Sequence, residues 1–402
     1  MKKTKKPRTR GSAAGFALGA ALGLAFCAGS LGRFGNWLLE LPLGAYLACL
    51  LGGFAVCFVP AALIQTVVHE GGHLVCGLAS GYGFRSFRVG SLLWSRQNGR
   101  LKLSRLQVPG TAGQCLLAPP VPAADGSYPY RLYLAGGVLA NLLTGLLCLW
   151  PALTVQNYWL AMFWLGLAVL GLGMAVQNGL PVHMARVCTD GYNFYRMAKN
   201  ADARRAVWLQ LAYVASLADG CRVSELPEEW FAPGAWVLHP SAQTQAAPRL
   251  DEALAVFCGL LQIARLQEQG RWAEADAAAR TLLAAPAGPD GLLELQRDCL
   301  ELDLAYSALV GPDRAAWLEG LGRAGRAELK AKAQKSAGLP AGQRVLYAWY
   351  TLAEPQPRQA SAWRQRYEKT LACYPYPAEV DCERAQFARA QISAGAAVQP
   401  QA

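Results

Sequence analysis

The sequence predicts an α-helical membrane protein, with four transmembrane helices and a small cytoplasmic β-hairpin followed by a soluble all-α domain. Three observations lead there. Residues 11–32, 41–68 and 132–182 contain no Asp, Glu, Lys or Arg, and a membrane span needs about 20 apolar residues. Alternating residues flank Asn98-Gly99 between the second and third runs, the signal for a tight hairpin. Past residue 195 the chain becomes rich in Ala, Leu, Arg and Glu, with apolar residues at helical spacing. The 402 residues are 53% hydrophobic and 16% charged, with a mean hydropathy of +0.17, and make more than one domain's worth of chain.

The first span is expected near 12–32, behind the basic stretch MKKTKKPRTR. Short Lys- and Arg-rich segments stay in the cytoplasm, so the N-terminus is expected inside and the span is read as an uncleaved anchor. A cleavable signal peptide is the competing reading, although the apolar stretch is long for one. The second span is expected near 44–68. The loop after it carries Arg85, Arg88, Arg96, Arg100, Lys102 and Arg105 and is also expected inside. The run 132–182 is long enough for two spans, near 132–152 and 158–180, with Pro151 and Gln156-Asn157 marking the turn. Four crossings leave both termini cytoplasmic. The net charge of +11 then follows from topology and anionic lipid headgroups, and no nucleic-acid partner is required.

Between spans two and three, FRSFRVGSLLW and RLKLSRLQV face each other across Gln97-Asn98-Gly99 as the expected hairpin. GTAGQCLLAPP, residues 110–120, reads as a Gly/Pro-rich loop.

At the end of the second apolar run stands HEGGH. On a helix, His69 and His73 are one turn apart on one face and can reach a single Zn²⁺, with Glu70 beside them to activate a water. A capped helix end with two interfacial histidines is the plainer reading. Ionisable groups at membrane depth are expensive, however, and mark functional sites. A catalytic zinc wants a third protein ligand. Asp190, in the Asp190-Gly191 pair after span four, is brought to the same face by two antiparallel crossings; His183 is the alternative. An isolated Asp-Gly is otherwise a surface turn. Cys76 and Cys188 lie near these elements as further candidate ligands or as plain apolar residues. The chain has twelve cysteines and no C-x-x-C pair, and those in cytoplasmic segments are expected reduced.

HEGGH, then GGVLANLLTG opening the third span, then N-x-x-P followed by D-G after the fourth together resemble the site-2 protease family of intramembrane zinc metalloproteases over residues 41–195. The resemblance implies His69, His73 and Asp190 as zinc ligands, Glu70 as general base, and Asn141 as a group that helps hold substrate or the developing oxyanion. It also implies hydrolysis within or beside the transmembrane segment of a single-pass membrane protein or peptide, held as an added strand on a small sheet. Two features depart from the family. Gly137-Val138-Leu139-Ala140-Asn141 stands where it has G-P-x-x-N, and eight residues, Val182 to Thr189, separate Pro181 from Asp190. A second role, interhelical hydrogen bonding, is open to Asn141. A reading of another class is a catalytically silent membrane scaffold that binds a transmembrane client. A transporter is disfavoured by four spans without an inverted repeat.

Residues 1–195 thus form the expected membrane-embedded domain and 196–248 a linker, whose segment 226–248 is irregular and carries His239 as a loop residue. Residues 249–392 are expected as a cytoplasmic helical domain of paired antiparallel helices. EQGRWAEADAAARTLLAAP, with Gly270 and Pro286 at its ends, looks similar to a tetratricopeptide repeat, with a generic helical bundle as the alternative. Either could offer a groove to a cytosolic protein partner. Residues 393–402 are expected as a disordered tail.

Overall fold

The computed structural model describes residues 10–97, 99–106, 112–123, 125–182, 188–231, 252–284, 291–374 and 377–398. It divides into two compact units, one built of residues 1–89, 112–120 and 128–199 and the other of 90–111, 121–127 and 200–402.

The first unit is a helical bundle with one pair of strands. Helix α1 (Arg10–Leu39) covers the expected first span. Helix α2 (Leu43–Gly52) passes through a π-helical stretch, Gly53–Phe58, into α3 (Val59–Ala79). The widened turn falls just before Pro60, whose ring would clash with the carbonyl one turn back in an unbroken α-helix. Helix α3 continues beyond His73 to Ala79, so HEGGH lies inside a helix and not at its end.

Strand β1 (Gly83–Val89) pairs antiparallel with β4 (Gly113–Ala118), from Gly83 opposite Ala118 to Val89 opposite Gly113, with a bulge between Phe84 and Ser86. The segment expected as a Gly/Pro-rich loop, 110–120, therefore contains a strand. Its alternation of buried Cys115 and Leu117 with more exposed neighbours is a strand period that the flanking Gly and Pro residues obscured.

Helices α4 (Tyr130–Thr154) and α5 (Tyr158–Gly179) match the third and fourth expected spans within two residues at each end. Pro151 does not mark the turn between them. It sits inside the last turn of α4, where its missing N–H removes only one helical hydrogen bond. The turn is Val155 to Asn157, and Asn157 caps α5 by accepting from the Leu160 N–H at 3.0 Å. Arg33 of α1 donates to the carbonyls of Ala152 and Val155 at the end of α4.

Small residues let these helices touch. A Cβ on Gly72 of α3 would collide with the carbonyl of Gly136 on α4, and one on Gly136 with the carbonyl of Gly72. This is close backbone packing of the kind found between membrane helices. Leu43–Ala79, Tyr130–Thr154 and Tyr158–Gly179 are each long and apolar enough to cross a membrane. Leu51, Leu63, Leu143, Leu147 and Trp150 point large apolar side chains outward, as a lipid-facing surface would. Helix α6 (Asp190–Lys199) closes the unit.

In the second unit, β2 (Leu92–Gln97) and β3 (Arg100–Arg105) form the expected hairpin, with Gln97 opposite Arg100 and Gly99 at a φ of 77°. Positive φ is what a two-residue turn demands. The expected linker, 196–248, instead holds a helix, α7 (Ala201–Ala218), with buried Trp208, Leu209 and Leu217. Its polar start, ADARR, hid an apolar face. Residues 232–251, including His239, lie outside the described residues.

The helical domain follows as α8 (Glu252–Glu268), α9 (Trp272–Ala284), α10 (Glu294–Val310), α11 (Arg314–Lys335), α12 (Pro340–Ala348), α13 (Pro357–Ala372) and α14 (Pro377–Val398). Gly270, at a φ of 73°, turns α8 into α9, while Pro286 lies outside the described residues. Tyr306, Leu309, Trp349, Tyr367 and Phe387 form the larger core. Arg344, 2% exposed, is buried in it and pairs with Asp303 at 2.6 Å and with Glu383. The expected tail, 393–402, is helical through Val398, where α14 ends, and 399–402 lie outside the described residues.

Candidate metal centre

Three side chains predicted from the sequence meet in the first unit. His69 and His73 bring their Nε2 atoms within 3.2 Å of each other, and Asp190 Oδ2 lies 3.2 Å from the first and 3.3 Å from the second. Both imidazoles are buried, and the Asp190 side chain keeps 21% of its exposure. Among the described residues this is the group of His, Cys, Asp and Glu donors able to share an ion; Cys76 and Cys188 are not in it. His183 lies outside the described residues.

Partners on the far side of each ring fix which nitrogen faces the cluster. His73 Nδ1 lies 2.8 Å from the carbonyl oxygen of Tyr133. A carbonyl only accepts, so Nδ1 carries the hydrogen and Nε2 a lone pair. His69 Nδ1 lies 2.6 Å from Asn141 Oδ1, with the same result. With both imidazoles neutral, two lone pairs and a carboxylate oxygen thus converge on one point, as they would around a cation.

The donor set is one that could hold a metal ion, and its spacing is compatible with a tetrahedral ion such as zinc. Two imidazoles and one carboxylate leave a fourth position open, and tetrahedral bonds of about 2.0–2.1 Å place ligand atoms about 3.3 Å apart. The three separations here are 3.2, 3.2 and 3.3 Å.

Asp190 is delivered by local chemistry. Thr189 caps α6, accepting from the Tyr192 N–H at 3.2 Å while donating to the carbonyl of Leu180 at 2.7 Å. This tie back to the end of α5 holds the start of α6 in place, so the long spacing after Pro181 does not move the ligand. A Cβ on Gly191 would collide with the carbonyl of Gly179, which is why glycine follows the aspartate.

Glu70 is 8% exposed and faces the N-terminal end of β4, where a Cβ on Gly113 would strike its carboxylate. Arg88 of β1 is buried on the same side, and its Nη2 donates to the Gly113 carbonyl at 3.3 Å. Burial lowers the Arg88 guanidinium from its ordinary value, and Glu70 raises it in part.

Asn141 is fully buried and its amide hydrogens are engaged. Its Nδ2 donates to the Gln65 carbonyl at 3.0 Å and to Gln65 Oε1 at 2.8 Å. The amide expected to help an oxyanion has no free hydrogen for one, and its bonds run between helices instead. Sequence reasoning passed over Gln65 and Gly113, and it named Arg88 and Gly137 without giving either a place beside the three ligands. Gln65 carried a legible signal, a polar residue in an apolar run exactly one turn before His69. The two glycines carried none, because their role is to be absent where Glu70 and His73 stand.

No family model, no curated protein and no solved structure matches this chain.

Proposed function

We propose that this chain is an intramembrane zinc metalloprotease of the site-2 protease type, hydrolysing a peptide bond within or beside a transmembrane segment of a membrane-bound substrate. The observation that carries the reading is the convergence of His69, His73 and Asp190 beside Glu70 among helices long and apolar enough to span a membrane. A zinc ion bound by these three residues would act as a Lewis acid, easing deprotonation of water near neutral pH and polarising a peptide carbonyl.

The protein's own groups do the rest. Glu70 takes the proton of the attacking water and hands it to the leaving amine. Asn141 and the Tyr133 carbonyl keep both imidazoles facing inward. Packing of α3, α4 and α5 keeps bulk water from the site, which strengthens each of these interactions. A helical substrate shields its peptide bonds, so it must unwind to be cut. Strand β4, whose first residue lies against Glu70, offers backbone for an extended peptide to pair with.

In this reading the helices cross the membrane four times, with both termini cytoplasmic, and the helical domain engages a cytosolic partner. Native membranes incubated with the purified protein should yield new N-termini inside apolar spans, lost with Glu70→Gln and on zinc chelation. An identical set of N-termini with and without the enzyme would favour a silent scaffold.

A further inference from the structure

We infer that Gln65 is a positioning residue for the metal centre, acting through Asn141 to fix the tautomer of His69. The inference rests on the metal reading above and concerns a residue that touches neither the ion nor substrate.

An amide side chain can face a neighbour with either its oxygen or its nitrogen, and the network around it decides which. The chain of decisions starts on the backbone of α5. Gln65 Nε2 lies 2.8 Å from the carbonyl oxygen of Leu167. That oxygen can only accept, so the nitrogen of Gln65 must face α5 and Oε1 must face α4. There Oε1 accepts from Asn141 Nδ2 at 2.8 Å and from the Thr144 hydroxyl at 3.2 Å. The Gln65 main-chain carbonyl takes the second Asn141 hydrogen at 3.0 Å.

With both acceptors on one side, Asn141 is compelled to turn Oδ1 towards His69, at 2.6 Å. His69 must then carry its hydrogen on Nδ1 and present Nε2 as a lone pair. Every member of this chain except Thr144 is at most 9% exposed, so water cannot substitute for a lost partner. His73 needs no such relay, because the Tyr133 carbonyl sets its tautomer directly.

Space around the relay is equally committed. A Cβ on Gly171 would stand 2.8 Å from Gln65 Nε2 and 2.9 Å from the Asn141 carbonyl. Glycine there admits the glutamine between three helices.

Without the Gln65 side chain, Asn141 loses one of its two acceptors and keeps only the Gln65 main-chain carbonyl, so the flipped form that offers Nδ2 to His69 becomes accessible. The imidazole would then move its hydrogen to Nε2, and a protonated Nε2 cannot bind a metal. Removing such an outer partner weakens metal binding about 10- to 100-fold.

The test is the affinity of the purified full chain for Zn²⁺, by competition with a chromophoric chelator, together with the visible spectrum of bound Co²⁺. Gln65→Leu should weaken Zn²⁺ binding about 10- to 100-fold and alter the Co²⁺ bands. Gln65→Glu, isosteric when protonated, should bind as wild type. In an Asn141→Asp background Gln65→Leu should carry no penalty, because a carboxylate has no wrong orientation. A lesion that merely disturbed packing would persist in that background and overturn the inference. Unchanged affinity of Gln65→Leu would overturn it too, while leaving the metal reading intact. A wild-type chain that binds neither ion would instead remove the metal reading on which the inference stands.

Discussion

The backbone of Gly137 lies against the ring of His73, so close that a Cβ there would stand 2.6 Å from Nε2. Gly113 bears the same relation to the carboxylate of Glu70. One glycine makes room for a ligand atom and the other for the general base, so the two should separate binding from chemistry.

Gly137→Ala is expected to lose zinc while keeping its helical content, measured as metal per chain beside far-ultraviolet circular dichroism. Gly113→Ala should keep zinc and lose about 100-fold in cleavage rate, the scale of loss expected from a 1 Å misplacement of a reacting group. Equal zinc loss in both variants would contradict this division.

Gly191→Ala should act on Asp190 from the neighbouring position. The added methyl must push α6 away from the Gly179 carbonyl, and the carboxylate goes with it. We expect zinc affinity to fall at least as far as 10-fold, within the range known for disturbed ligand support, and Asp190→Ala to fall further. Chelator competition on the two proteins checks the order.

The buried Arg344 holds Asp303 and Glu383 together in the core of the second unit. Removing one partner of such a set leaves uncompensated buried charge and costs about 3–5 kcal/mol. Arg344→Met should therefore shift chemical denaturation of this unit strongly to lower denaturant. A shift below about 1 kcal/mol would mean that water reaches the carboxylates.

Glu379 gives a pH dependence of defined sign. Burial pushes its carboxyl up to about 7, against the hydrogen bond from Tyr213. Its folded value thus exceeds the unfolded value, so the folded state holds the extra proton. The associated stability is fully present below the unfolded value and is lost as pH rises through about 7. The side chain is only half-buried, so the gain from Glu379→Gln at pH 8 is put at about 1 kcal/mol, with none at pH 4. Thermal melts of both proteins across this range measure it.

Much of the first unit was legible because charge is excluded from long apolar runs. Residues 132–182 contain no charge, and α4 and α5 fall where that run and Asn157 place them. His69, His73 and Asp190 were legible because their residue types have few other uses at that spacing. Strand β4 was not legible, since Gly110, Gly113 and the proline pair 119–120 look like loop while Cys115 and Leu117 pack inward. Helix α7 was masked by its charged first turn. Gln65 could have been read as a polar residue one turn before His69, whereas the glycines at 113 and 137 are defined by what stands opposite them on another helix or strand, and sequence order does not contain that information.

The most direct test compares the membrane proteome of the native host with that of a strain carrying Glu70→Gln. The account predicts that one or a few single-pass proteins, or fragments of their spans, accumulate only in the mutant. Identical proteomes, with the variant folded and holding its metal, would contradict proteolysis and leave His69, His73 and Asp190 as a metal site without hydrolytic work.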